Sequence, residues 1–536
     1  MFILLDAFWF VWIIKFILFW LYLWQLKEYH TGRFLDHFRT FKGKKLLYSP
    51  EQILKIILLA LLFLAPGLFN FIFTAITFLY VVETILFLRV ILNKAAKKPV
   101  LTIKTIFLTI VSFAIAVLFI IWTFGLQDFF QPSALLIFDI LTPLIISAIV
   151  LLFQPIFVAA RNAELKKAKD KMEKVKAESS LKVIAITGSY GKTSTKEFLT
   201  AMLSAKFSVL STKEHQNSEI GVANCILQDL KLSHQIFIAE VGAYNKGKIK
   251  EVCNVIKPQI GIVTGVNEQH LALFGTLENL LSAEGGEELS EALPSNGMLV
   301  VNGDNKYCLN LAKKTHKNVK IYSLSNKTVN AEIWPTDIEV FKDFISFMAM
   351  NRAGEVSHIE VDVLGKQNVQ NLLAAILVAK ELGMTFGEIS DACKNISQKM
   401  AGMVLKNGKL GLDIVDSSYS SNPDGVFADL DYFSTFDKKK VIVMPCLIEL
   451  GKKSAEIHEK IGKKIGDTCD LAIITSRDKF KEVEKGFKQT KKQGAKIVLC
   501  DNVENIYSEI TLFCKVGDAV LLEGRVPGEL INLLIK

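Results

Sequence analysis

The apolar positions of this chain fall into two unlike patterns. Up to about residue 160 they form long unbroken runs of Phe, Leu, Ile and Trp, and beyond it they come in short bursts between charged and turn-forming residues. A hydrocarbon layer of about 30 Å is crossed by roughly 20 apolar residues in helical conformation. Five stretches reach that length, near 7–25, 52–70, 72–92, 103–124 and 134–158. The first lacks a small-residue cleavage site and is followed by further spans, so it reads as a retained anchor. Residues 161–180, "RNAELKKAKDKMEKVKAESS", contain no Gly or Pro and are densely charged, which predicts a helical connector at the cytoplasmic surface. From 181 onward apolar strands such as "KVIAIT", "IFIAEV", "IGIVTG" and "GMLVVN" alternate with helical stretches. That alternation predicts a parallel sheet covered by helices, an α/β region following a multi-span α-helical membrane domain.

Charge refines the first pattern. The chain carries 63 Lys and Arg against 54 Asp and Glu, a formal charge of +9, and its mean hydropathy is +0.33. Much of the basic excess flanks the apolar runs. Lys27, Arg33, Arg39, Lys42, Lys44 and Lys45 follow the first; Lys94, Lys97 and Lys98 follow the third; Arg161, Lys166, Lys167 and Lys169 follow the fifth. The other two loops, "APGLFN" and "GLQDFFQPS", hold no Lys or Arg. The positive-inside rule then sets the N-terminus outside and everything after 160 in the cytoplasm, giving a multi-pass protein of the cell (inner) membrane. Topology thus accounts for the charge, and no nucleic-acid partner is expected. Lys15, Glu83, Arg89 and Asp139 lie in or at the edges of spans, where charge is costly. They either line a groove for a lipid headgroup, pair with one another, or reach out to the interface. The eight cysteines are scattered with no CxxC pair, as expected of reduced thiols and not of a zinc site.

One stretch carries chemistry. "VIAITGSYGKTSTKEFL", residues 183–199, reads as strand, glycine turn and helix. Gly188 and Gly191 allow a tight turn whose N–H groups point at phosphate oxygens, and the following helix adds its positive N-terminus. Lys192 can reach outer phosphates and the Thr193 hydroxyl can sit on Mg²⁺, with Ser189, Tyr190 and Ser194 completing the loop. The two glycines enclose two residues, where an ordinary P-loop has four.

The stretch "TGSYGKTSTKEFL" resembles the ATP loop of the Mur ligases, most of all the branch that adds D-alanyl-D-alanine to a muramoyl tripeptide. The resemblance continues through "NSEIGVANCIL", "IFIAEVGAYNKGKI", "KPQIGIVTGVNEQHLALFGTLENL", "LPSNGMLVVNGDN", "GKQNVQNLLAAILVAKELG", "DSSYSSNPDGV" and "IELGKKSAEIHEKIG", over about 350 residues in one order. It implies a central ATP-binding domain over 181–400 and a Rossmann-like C-terminal domain over 401–536, after a membrane domain over 1–160 and the 161–180 connector. It does not reach the first 160 residues, where such ligases usually carry a small domain for the UDP-sugar.

The implied chemistry is ATP-dependent phosphorylation of a substrate carboxylate, followed by displacement of phosphate by an amine. Such transfer is mostly positioning and charge neutralisation, and it calls for ATP and Mg²⁺. By resemblance Glu240 is a magnesium ligand and His270 belongs to a second metal site. Where the family has a lysine that becomes carbamylated, this chain has "SAEGGEELSEALP", with Glu284 where that lysine would fall and Glu287 three residues on. A glutamate already carries the charge that carbamylation creates, so Glu284, or failing it Glu287, is expected to ligate the second Mg²⁺. Other positions depart: Gln367 stands for a histidine in "GKQN", Met403 for an arginine, and "EGRVPGEL" for a C-terminal "KGSR". Asn368 and Asn371 keep the expected adenine-side positions, Asp416 heads the motif at the domain cleft, and Arg525 is a candidate to replace the lost phosphate-side charge.

These readings converge on a membrane-anchored peptide ligase of cell-wall synthesis. Its carboxylate acceptor would be of muramoyl-peptide type, UDP- or lipid-linked, and its amine an amino acid or dipeptide. Two alternatives share the motifs: a membrane-associated poly-γ-glutamate-type polymer ligase, and a nucleotide-binding pseudoenzyme scaffold.

Overall fold

The computed structural model describes all residues except 1, 94–95, 214–215, 269, 326–328, 420–421, 449, 491 and 536. Lys94, counted above among the loop charges, lies outside the described residues. The chain divides into two compact units, Met1–Asn162 and Ala163–Lys536.

The first unit is helical. Its long helices are Phe2–Leu26, Pro50–Leu64, Phe69–Leu92, Ile103–Thr123 and Phe130–Glu178, with short ones at Thr31–His37 and Phe41–Leu47. Five helical stretches are long and apolar enough to cross a membrane, the second only when counted from Gly43. Two expectations change. The run expected to be one span over 52–70 ends as a helix at Leu64, because Pro66 cannot continue the ladder and a 3₁₀ turn over Pro66–Leu68 leads into the next helix. The fifth span and the charged connector are one 49-residue helix that passes through Pro143 and Pro155 without ending. The connector is helical as expected, and one of its faces is packed. Leu165, Ala168, Met172 and Val175, at helical spacing, are buried in the core of the second unit.

Aromatic side chains dominate the first unit's interior. Trp9, Trp20 and Trp24 are buried, Trp24 stacks on Phe34 at 3.9 Å, and Trp9 lies edge-on to Phe138. Within that interior Lys55, Glu83 and Asp139 are almost wholly buried together. Lys55 Nζ lies 2.6 Å from Asp139 Oδ2 and 2.9 Å from Glu83 Oε1, over the rings of Trp12 and Tyr80, and the Tyr80 hydroxyl donates to the same Asp139 oxygen. The two acids therefore pair through Lys55, a residue the sequence did not single out, and Arg89 is exposed.

The second unit contains two sheets. The larger joins β1 (Lys182–Thr187), β2 (Val209–Ser211), β3 (Ile236–Glu240), β4 (Ile260–Val263), β5 (Met298–Asn302), β6 (Asn318–Tyr322), β7 (Ile333–Val340), β8 (Ile345–Asn351) and β9 (Val356–Val361) in the order 2-3-1-4-5-6-7-8-9. Strands β1 to β7 pair in parallel, as the apolar bursts predict, whereas β7–β8 and β8–β9 are antiparallel. The smaller joins β10 (Val404–Asn407), β11 (Asp413–Ser417), β12 (Lys440–Met444), β13 (Leu471–Ile474), β14 (Lys496–Leu499) and β15 (Ala519–Glu523) in the order 10-11-15-12-13-14, antiparallel at β10–β11 alone. Register fixes the chemistry's place. Ile186 pairs with Glu240 and Thr187 with Val263, so the carboxyl ends of β1, β3 and β4 meet along one edge.

Candidate functional site

At that edge β1 turns into the helix Lys192–Ser204 through Gly188-Ser-Tyr-Gly191. Gly188 has φ +139° and Gly191 +74°. A Cβ on the first would lie 2.3 Å from Thr264 Oγ1, and on the second 2.4 Å from Asn371 Oδ1. Only glycine leaves this concavity open, with the start of the helix facing it. The Thr264 hydroxyl ties the loop down through the Tyr190 and Thr187 carbonyls, and Asn302 Nδ2 in turn holds the Thr264 carbonyl at 2.9 Å. The Thr187 hydroxyl, at the mouth of the loop, is buried with no protein partner.

The side chains divide into those that face the loop and those that support it. Lys192 folds back so that Nζ donates to the Gly188 carbonyl at 2.6 Å. Ser194 donates to Ala401 O at 3.3 Å. Tyr190 acts as support: its ring packs on Gly265, Asn305 Nδ2 reaches its hydroxyl at 3.3 Å, and burial pushes its ionisation up to about 12. Only its backbone is left for phosphate. Asn371 touches the loop itself at Gly191, while Asn368 is buried behind it, donating to Leu364 O and accepting from Asn371.

Three acidic or basic groups converge on the loop. Glu284 is buried, with Oε1 2.9 Å from His270 Nδ1 and Oε2 accepting from Ser189 Oγ at 2.8 Å. Burial acts to raise the ionisation of Glu284, but the His270 contact, the Lys192 charge and the Ser189 hydrogen bond together hold it below the ordinary carboxylate value. A carboxylate that takes Nδ1–H of a histidine leaves Nε2 with its lone pair outward. Glu240, also buried, is oriented by Asn217 Nδ2 at 3.0 Å and Lys196 Nζ at 3.8 Å, and its amide donates to Thr212. Glu287 instead pairs with Lys314, and Glu288 accepts the amides of Gly247 and Lys250. Of the glutamates in this block, Glu284 is the one turned to the loop. The Gly285-Gly286 turn makes this possible, since a Cβ on Gly285 would lie 2.2 Å from Leu281 O.

Among the described residues no three His, Cys, Asp or Glu side chains form a cage for a metal. Mg²⁺ held jointly with phosphate needs only one or two carboxylates and keeps waters. Glu284 and His270 stand against the glycine turn, Thr193 lies in the first turn of the helix behind it and Glu240 ends the neighbouring strand β3, and the two carboxylates and the hydroxyl are donor types that Mg²⁺ takes. Other expected members lie elsewhere. Asp416 ends in the C-terminal sheet on Lys406 and Ser418, which outweigh burial and hold it ionised. Arg525 is exposed beyond β15 and makes no ion pair or hydrogen bond among the described residues, and Met403 is buried in the C-terminal core. Lys196 and Asn217, which orient Glu240, escaped the sequence reading; Asn217 opens the "NSEIGVANCIL" block, the one signal that marked it.

The C-terminal part of the chain reaches this region through Asp424, on the helix Pro423–Phe433, which accepts from Asn267 at 2.9 Å, and through Lys453, in the turn Gly451–Lys453, 2.5 Å from Glu268. Both contacts clasp the loop that bears His270.

Residues 186–379 match the Mur ligase middle domain and residues 403–526 the Mur ligase glutamate ligase domain. The chain is 26% identical over 365 residues to the UDP-N-acetylmuramoyl-tripeptide–D-alanyl-D-alanine ligase of Buchnera aphidicola subsp. Acyrthosiphon pisum, covering 67% of this chain and 78% of that one. It is 28% identical over 292 residues to the ligase of the same name from Escherichia coli, where 54% of this chain and 63% of the relative are covered. In fold it resembles MurF from Acinetobacter baumannii, with a TM-score of 0.62 and 22% identity over 70% of this chain and 80% of the other. MurF of Thermotoga maritima, crystallised with ADP, gives a TM-score of 0.59 and 23% identity over 70% and 83%.

Proposed function

Because this chain belongs to the Mur ligases, whose members are ATP-dependent ligases that form peptide bonds and use Mg²⁺, we propose that it adds D-alanyl-D-alanine, or a similar amine, to the carboxylate of a muramoyl peptide while its helical unit spans the membrane. The observation that carries this reading is Glu284, a buried carboxylate bound to both the phosphate loop and His270. Mg²⁺ held near Thr193, Glu240, Glu284 and His270 would neutralise phosphate charge. The chain's own groups do the rest. The glycine turn presents backbone N–H groups to ATP, and Lys192, released from the Gly188 carbonyl, offers its ammonium to the outer phosphates. His270 and Glu284 are held in mutual orientation before substrate arrives, so little reorganisation accompanies transfer.

The N-terminal helices stand where relatives of this family carry a UDP-sugar domain, and a membrane-borne acceptor would be concentrated at the catalytic unit by shared localisation. Full-length protein in detergent, given ATP, Mg²⁺ and D-alanyl-D-alanine, is expected to release ADP with either a UDP-linked or a lipid-linked muramoyl tripeptide, adding one unit per acceptor. Faster turnover on the lipid-linked acceptor supports the role given to the helices. ADP release with neither acceptor, or products carrying many added units, would sink the proposal.

A further inference from the structure

A second group of buried acids lies where the smaller sheet meets the helix Gln367–Glu381. Glu523 ends β15 and Asp429 stands on the helix Pro423–Phe433, with only 1% and 6% of their surfaces exposed. Asp429 accepts from the Ser417 hydroxyl at the end of β11 and, at 3.2 Å, from Gln367 Nε2. Ser417 and Glu523 are register partners on β11 and β15, which brings Glu523 beside the Ser417-bonded Asp429, and neither Glu523 oxygen receives a hydrogen bond from a donor among the described residues. Two acceptors side by side, one of them orphaned, are costly in a dry interior unless something donates between them. No cation does so. The groups that act on the pair are Ser417 from β11, Gln367 from the 367–381 helix, and each acid on the other from β15 and the 423–433 helix.

We propose that Asp429 and Glu523 share a single proton, and that this proton docks the C-terminal sheet onto the start of the 367–381 helix through Gln367. The proton resides on a Glu523 oxygen and is donated to Asp429, which then has three donors: Glu523, Ser417 and Gln367. Adjacent buried carboxyls cannot both ionise. Burial pushes Glu523 well above the usual carboxylate range, with the Asp429 charge adding to it, and burial raises Asp429 as well, opposed by its hydrogen bonds. One turn along the same helix, Asn371 touches Gly191, so the docked contact lies next to the phosphate loop.

A group whose folded-state pKa is raised contributes stability that is complete below its unfolded value and is lost as pH rises through the folded one. The full-length protein should therefore lose thermal stability relative to Glu523→Gln as pH rises from the ordinary carboxylate range toward the raised Glu523 value, by on the order of 2 °C per pH unit while the folded state alone holds the proton. Glu523→Gln keeps an N–H donor toward Asp429 and should be flat by comparison. ADP release, the one readout that rests on the ligase reading, should fall with pH in the wild type and hold in Glu523→Gln, the ratio growing up to about tenfold per pH unit. Infrared spectroscopy of the wild type alone supplies a test that needs neither folding of a variant nor activity. A protonated-carboxyl carbonyl band should be present at neutral pH and disappear on alkaline titration. Absence of that band, or parallel pH profiles for wild type and Glu523→Gln, would overturn the shared proton, leaving a bound cation or water as the neutralising group. Retention of the pH-dependent band with no ligation under any condition would instead leave the proton in place and count against the proposed function.

Discussion

Both units of this protein bury charge, but in opposite ways. In the helical unit Glu83 and Asp139 share the single cation of Lys55, which lies over the rings of Trp12 and Tyr80. In the α/β unit Glu284 is held by Ser189 and His270 at the glycine turn, and Glu240, at the end of the neighbouring strand, by Asn217 and Lys196. The first is closed in by aromatic rings with Lys55 as the shared cation of both acids, while Glu83 Oε2 and Asp139 Oδ1 are buried without a hydrogen-bond donor among the described residues. The second holds its acids from behind and points them at a place where an anion and its counter-ion can enter. Burial alone therefore does not mark function; the direction left open by the partners does.

The comparison breaks most severely at Lys55. Lys55→Ala leaves two acids buried without their cation, which costs about 3–5 kcal/mol when one partner of a buried pair is removed. The expected outcome is loss of monodisperse full-length protein in detergent. Joint replacement of Lys55, Glu83 and Asp139 by Leu, Gln and Asn should restore it, since the deficit comes from unpaired charge. If Lys55→Ala folds normally, the cluster is not closed and the contrast with Glu284 fails.

Glu284→Ala is the next largest effect and should be of the other kind. Losing one preorganised group at a transferring phosphate costs about 10²–10³ in turnover, and ADP release should fall by that factor while the folded yield stays unchanged. Excess Mg²⁺ should restore part of the activity if the lost group helped to hold metal. Unchanged turnover and Mg²⁺ dependence would remove Glu284 from the site.

The α/β unit was more legible than the helical one, for a physical reason. Strands β1, β3, β4 and β5 are short apolar runs fixed by their own sequence, and the glycine spacing of 188 and 191 is a local constraint, so both could be read in one dimension, whereas the three-residue β2 could not. The end of the 50–64 helix was also local, but Pro66 sat inside an apolar run whose length outweighed it. The continuity of the 130–178 helix was obscured by the charge shift near 161, although the apolar stripe 165, 168, 172 and 175 was present. Lys55 and Lys196 could not be assigned, because their partners lie 84 and 44 positions away (139 − 55 and 240 − 196) and arrive only through packing.

Gly191→Ala has a smaller effect than losing Glu284. The residue would hold a side chain at φ +74° and press it to 2.4 Å from Asn371 Oδ1. A non-glycine residue in a left-handed conformation costs about 1–3 kcal/mol. Because Asn371 can swing away, the expected result is weaker ATP binding, seen as a raised KM for ATP, with the protein still folded. The paired variant with Asn371→Ala should recover part of that loss. An unaltered KM would mean that the loop opens on nucleotide binding and that the cradle is not preformed.

The sharpest version of the comparison uses two glutamates three residues apart. Glu287 is half-exposed and its partner Lys314 is on the surface, and an exposed pair of this type contributes little. Glu287→Ala should change stability by no more than about 0.5 kcal/mol and leave ADP release at the wild-type level, while Glu284→Ala in the same preparation loses it. Sequence alone left both as candidates for the second metal position. The Gly285-Gly286 turn separates them by sending one carboxylate inward to Ser189 and His270 and the other outward to Lys314. Loss of activity in Glu287→Ala would show that this turn rearranges when substrate binds, and the direction each acid takes in the free protein would then not be the direction it takes during catalysis.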